Sequence, residues 1–160
     1  MSQVEDLHIE RIGMKHLTFF AALFASTTLA MAQDAITYTT DESFDDVVFG
    51  LENAILDEGL IVEGVSHVGE MLERTGPDVG SDVTVFLAAD VYSFCSARLS
   101  RKVMEADPMN LQFCPYTIFV AQLPDTPDET VIGYRTFPDG PMQDVQALLD
   151  TIAKSAIGLD

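Results

Sequence analysis

From Gln33 onward the spacing of apolar positions switches between the two-residue period of strands and the 3.6-residue period of helices, and each switch marks an element. Ala35 to Thr40 (AITYTT) is β-branched and aromatic and predicts a strand. Ser43 then stands as an N-cap, with Asp46 three residues on in a carboxylate version of the capping box. Phe44, Val47, Val48, Leu51, Ala54 and Ile55 recur at helical spacing, and Gly59 can take the left-handed conformation that ends the helix. Leu60 to Val65 predicts a second strand, His67 to Arg74 a short helix closed by Thr75-Gly76-Pro77, and Asp78 to Asp82 a loop. Thr84 to Ala89 (TVFLAA) alternates too little for a half-exposed strand, which predicts burial on both faces. Asp90 to Ser93 then turns the chain toward the next helix.

That helix runs from Ser96 to Ala106 and stops at Asp107-Pro108, since proline disfavours helical geometry in the residue before it. Leu99, Val103 and Ala106 form its apolar stripe, with Arg98, Arg101 and Lys102 beside it. Phe113 to Leu123 predicts a core strand, Pro124 to Asp128 a turn longer than the two-residue ideal, and Thr130 to Phe137 the hairpin partner. Asp139-Gly140-Pro141 opens the last helix, with Pro141 at its first position and Val145, Leu148, Leu149, Ile152 and Ala156 on one face. No repeat, low-complexity tract or linker interrupts the order. It predicts a single compact α+β domain, a mostly antiparallel sheet with helices packed on one face.

The amino terminus changes the picture of where this domain resides. Met14-Lys15-His16, the apolar run Leu17 to Leu29 and Ala30-Met31-Ala32 have the order of a secretory signal peptide. Residues 14–32 are therefore expected to be removed, and residues 1–13 to be a mis-called start, because Glu5, Asp6 and Glu10 stand where positive charge belongs. The run falls short of the about 20 apolar residues that span a bilayer. The expectation is a periplasmic or secreted domain of residues 33–160, with no membrane attachment after cleavage. It retains 6 Lys+Arg and 23 Asp+Glu, a formal net charge of −17. Such a field repels phosphate backbones and anionic headgroups, which disfavours nucleic-acid and membrane-surface partners. The same charge also serves solubility alone.

Cys95 and Cys114 come first among candidate chemistry. In an exported protein two cysteines commonly form a disulfide, here across 18 intervening residues. The sharper reading is a redox pair, with Cys95 just before a helix whose N-terminal dipole and Arg98 lower its pKa and Cys114 as its resolving thiol. Two unconnected buried thiols are the third alternative. A metal site would need His67 to join both thiols and has no supporting ligand spacing. Ser96, Arg98, Arg101 and Lys102 could hold an anion at a helix start, or the bases could pair with surrounding carboxylates and solvate one face. No Gly-x-Ser-x-Gly, no phosphate-binding glycine loop and, within residues 33–160, only His67 as a general base leave hydrolase and nucleotide-enzyme readings poor. No cofactor is predicted.

Four features together resemble the family catalogued as domain of unknown function 302. They are Ser43-Phe44-Asp45-Asp46 at a helix start, the strand from Thr84 leading to Cys95, the helix ending in Ala106-Asp107-Pro108, and Cys114-Pro115 before Tyr116 to Val120. The chain departs from that pattern in having Ser96-Ala97 for Asn-Pro and Cys114-Pro115 for Pro-Cys, and an N-capping serine can replace a proline-led start. The resemblance implies a small α+β domain, often a homodimer, with no settled biochemical role. Three functions follow as expectations: an exported small-ligand or protein-binding domain using the cleft between the Cys95 helix and the strand after Cys114, a thiol-disulfide or sulfur-handling redox protein, or a structural dimer module. Catalysis is the less favoured outcome.

Overall fold

The computed structural model describes residues 34–159, so the signal peptide and upstream start expected at 1–32 lie outside the described residues. Strand β1 (Ala35–Thr40) leads into helix α1 (Phe44–Asp57), then β2 (Gly64–His67), α2 (Val68–Thr75), β3 (Ala88–Phe94), α3 (Ala97–Ala106), β4 (Tyr116–Leu123), β5 (Thr126–Arg135) and α4 (Gln143–Ser155). The five strands form one sheet in the order β1-β5-β4-β3-β2, and every neighbouring pair is antiparallel. The α+β class and the single antiparallel sheet are as the apolar pattern predicts.

Alternation decides which face of the sheet is covered. Tyr92 and Phe94 on β3, Tyr116, Ile118 and Val120 on β4, and Ile132 and Tyr134 on β5 point to one side and are buried there. Against them pack Val47, Leu51 and Ile55 of α1, Leu99 and Val103 of α3, and Val145, Leu149 and Ile152 of α4, all in one core. On the opposite side Phe119 lies across Gly133, its register partner, where an added Cβ would come within 2.7 Å of the ring. Among the described residues no helix is long and apolar enough to cross a membrane.

Helix α1 begins and ends as its sequence dictates. The Ser43 hydroxyl accepts from the Asp46 amide at 3.2 Å, and Gly59, at φ 71°, donates to Leu56 while Leu60 donates to Ile55. These are the paired bonds of a Schellman motif, and they fix the direction in which the chain leaves the helix. Leu60 to Glu63 are consumed in reaching the sheet edge, so β2 starts at Gly64 rather than at Leu60. The predicted second strand is thus displaced.

Four further expectations are corrected. Thr84 to Ala89 is not a strand buried on both faces: Val83, Val85 and Leu87 are 71%, 47% and 50% exposed, and the strand begins at Ala88. The cause is a missing partner. Ala88 already pairs with Gln122 near the end of β4, and beyond the Leu87 amide bond to the Gln122 carbonyl there is no further ladder to join. Asp90 to Ser93, expected as a turn, is instead the middle of β3, with Val91 opposite Phe119 and Tyr92 opposite Ile118. The expected long turn between the hairpin strands is a two-residue turn, Pro124-Asp125, followed by a bulge. Leu123 pairs with Thr126 while Gln122 pairs with Thr130, and the Gln122 amide donates to the Pro127 carbonyl at 2.6 Å. Pro141 precedes α4 instead of opening it.

Candidate functional site

Strand register brings the two cysteines together. Phe94 pairs with Tyr116, so Cys95 leaves β3 and Cys114 enters β4 just past the paired ends. Their sulfurs lie 3.3 Å apart as free thiols, both half-buried. Ser96 caps α3 by accepting from the Leu99 amide at 3.4 Å, which sets the helix phase and turns Ser100 toward β4. The Ser100 hydroxyl lies 3.1 Å from the Tyr116 hydroxyl and 3.8 Å from the Cys114 sulfur. The Cys114-Pro115 peptide bond is cis.

The electrostatics at Cys95 are the reverse of those expected from its place before a helix. Burial, the adjoining Cys114 and the nearby Glu63 carboxylate push its thiol up to about 12. A partial positive charge at the helix start does not offset losing water and facing a second sulfur and a carboxylate. The cluster is therefore a pair of adjoining thiols, of which Cys95 holds its proton, in contact with a hydroxyl pair.

The other residues expected at a site are brought together only in part: Arg98 and Lys102 line one shallow groove and Ser96 and Arg98 another. Arg101 pairs with Glu105 at 2.5 Å and Lys102 with Asp144 at 2.5 Å, so carboxylates of the acidic surface occupy two of the three bases. Arg98 is exposed and makes no ion pair among the described residues, and the Ser96 side chain is committed to the cap. A site made by His67, Cys95 and Cys114 is contradicted by the register. His67 pairs with Asp90, and five extended residues, roughly 16 Å, separate that point of β3 from Cys95. His67 instead meets the Asp90 carboxylate at 2.9 Å, and that hydrogen bond and charge raise its pKa above the ordinary value. No group of three His, Cys, Asp or Glu among the described residues is arranged to hold a metal ion.

Two features were not anticipated. Asp150 on α4 accepts from Tyr38, from Tyr134 at 2.6 Å and from Lys154 at 2.7 Å, and the Lys154 ammonium lies 5.6 Å from the Tyr38 ring centre. A carboxylate next to the buried Leu149, with a lysine one turn on, was the only hint of it. The second is a groove of about 340 Å³ between α2 and the exposed run before β3, lined by Gly69, Leu72, Glu73, Val83, Val85 and Leu87. It lies apart from the cleft beside Cys95 where a ligand was expected.

An antiparallel α+β domain carrying a half-buried dithiol between a helix start and a strand start is the class that fold and site define. The model of the family described as domain of unknown function DUF302 matches residues 36–153, and the chain belongs to that family. A crystal structure of an uncharacterized conserved DUF302 protein from Bacillus stearothermophilus is similar in fold, with a TM-score of 0.56 and 20% identity over 80% of this chain and 96% of that one. A search of curated proteins finds no match.

Proposed function

We propose that this chain is an exported dithiol protein whose Cys95 and Cys114 interconvert with a disulfide by exchange with a disulfide-bearing partner. The supporting observation is the 3.3 Å approach of two free sulfurs that lie 19 positions apart in the chain. Forming their bond needs little more than closing the remaining gap toward the roughly 2.05 Å of a disulfide. In the forward step the two thiols give up two electrons and two protons, and the partner disulfide takes both and becomes two thiols. Export, read from residues 14–32, supplies the compartment in which such partners occur.

The test is equilibration of the purified domain in glutathione buffers of graded potential, followed by acid quench, alkylation and intact mass. A smooth passage from doubly alkylated to unalkylated protein within the glutathione range supports exchange. A bond that survives excess reduced glutathione makes the pair a structural staple, and thiols that alkylate fully after oxidised glutathione exclude both readings.

The groove beside α2 favours a second reading, a small-ligand or protein-binding domain. Its apolar wall, Val83, Val85 and Leu87, is exposed, while Glu73 and Asp82 at the groove give it an acidic character. Loss of partner capture on Val85→Glu, with the thiol titration unchanged, separates this reading from the first.

A further inference from the structure

We infer that Cys114 is the attacking sulfur of the pair, Cys95 the resolving one, and Ser100, held by Tyr116, the residue that positions the attacking sulfur. This deepens the dithiol reading and rests on it. The two sulfurs differ in what touches them. A negative charge on Cys95 would face the nearby Glu63 carboxylate. Cys114 has a hydroxyl beside it, with Ser100 Oγ 3.8 Å from its sulfur.

The direction of the hydroxyl chain follows from Tyr116. Its phenol is buried, burial chiefly holds its pKa up, and Ser100 is its hydrogen-bond partner at 3.1 Å. A buried O–H must donate, so Tyr116 donates to Ser100 and the Ser100 proton is left to point at Cys114. Cys95, which keeps its proton, donates to the same sulfur across 3.3 Å. Cys114 thus receives two donors, which hold its sulfur in place while Cys95 keeps its own proton. The titratable groups facing the pair are Glu63, from the segment entering β2, and Tyr116, from β4.

In the step this predicts, the Cys114 thiolate forms a bond to one sulfur of the partner disulfide, whose S–S bond breaks and whose other sulfur leaves as a thiolate and takes a proton from water. Cys95 then loses its proton to solvent and attacks Cys114, forming the internal disulfide and releasing the first partner sulfur as a thiolate.

The probe is dithionitrobenzoate, a symmetric aryl disulfide, applied to the reduced, folded chain. Cys95→Ser should release thionitrobenzoate and retain a mass adduct on Cys114, and Cys114→Ser should react roughly tenfold more slowly, as its remaining thiol is less ionised. Added to Cys95→Ser, Ser100→Ala should move the pH midpoint of the reaction upward, and Ser100→Thr, which keeps the hydroxyl, should restore it. If Cys114→Ser reacts as fast as Cys95→Ser, or Ser100→Ala leaves the midpoint unmoved, the assignment is overturned while the dithiol reading stands. If the wild-type chain releases nothing until denatured, the dithiol reading fails as well.

Discussion

Asp150 shows how a single carboxylate can organise a junction. Two phenols and an ammonium converge on it from β1, β5 and α4, so it ties the first strand, the penultimate element and the last helix at one point. Burial pushes its pKa up, but the hydrogen bonds from Lys154, Tyr134 and Tyr38 outweigh burial and hold it below the ordinary value. A depressed carboxylate contributes stability that is present above its unfolded pKa of about 3.9 and is lost as pH falls through the lower folded value. Asp150→Asn removes the charge, leaves one amide oxygen where two carboxylate oxygens served, and should cost about 1–3 kcal/mol in urea unfolding at neutral pH. The same variant should flatten the loss of stability below about pH 4 that the wild-type chain shows. A variant that keeps the full acid-side slope would assign that slope to other carboxylates.

Elements were legible where a helix could be read from its own ends, and less so where a strand needed a neighbour. Ser43, Gly59, Ser96 and Pro108 fixed α1 and α3 because caps and breakers act within a few residues. Thr84 to Leu87 has the composition of a strand, yet strands exist by pairing, and β4 has turned at Pro124-Asp125 before it could serve that segment. The cysteine pair was legible as a pair only from compartment and spacing. Its contact comes from the Phe94–Tyr116 register, and its proton affinity from Glu63 and burial, none of which has a local signal. Helix packing was equally hidden. Gly50, in the middle of α1, would drive an added Cβ into the Ala156 carbonyl at the end of α4, so it marks a close approach of the two helices. Alanine raises intrinsic helix propensity by about 1 kcal/mol. Overpacking against a backbone carbonyl costs about 1–3 kcal/mol and should exceed that gain. Gly50→Ala is therefore expected to lower the melting temperature, whereas a rise would mean that α4 can shift without penalty.

Over the whole molecule the dithiol couples oxidation state, stability and pH. A Cys95–Cys114 bond would close a loop containing 18 residues, among them all of α3, and stabilise the fold by about 3 kcal/mol through the unfolded chain. The reduced form carries an additional, pH-dependent contribution. Cys95 is raised to about 12 in the folded state, so the folded chain holds its proton after the unfolded chain has lost it. Folding of the reduced form is favoured by this below the unfolded thiol value of about 8.5, and the advantage disappears as pH rises toward the folded value. Tyr92, Tyr116 and Tyr134 are also raised, chiefly by burial, but they are present in both oxidation states and largely cancel in the difference. The gap in urea midpoint between oxidised and reduced protein should therefore be constant from neutral pH to about 8 and widen steadily above it. In Cys95→Ser, which lacks the raised thiol, the part of the slope that Cys95 gives the reduced form above about pH 8 should disappear. A gap that does not widen with pH would mean that Cys95 ionises as readily folded as unfolded, and that the carboxylate and burial around it leave its proton unprotected.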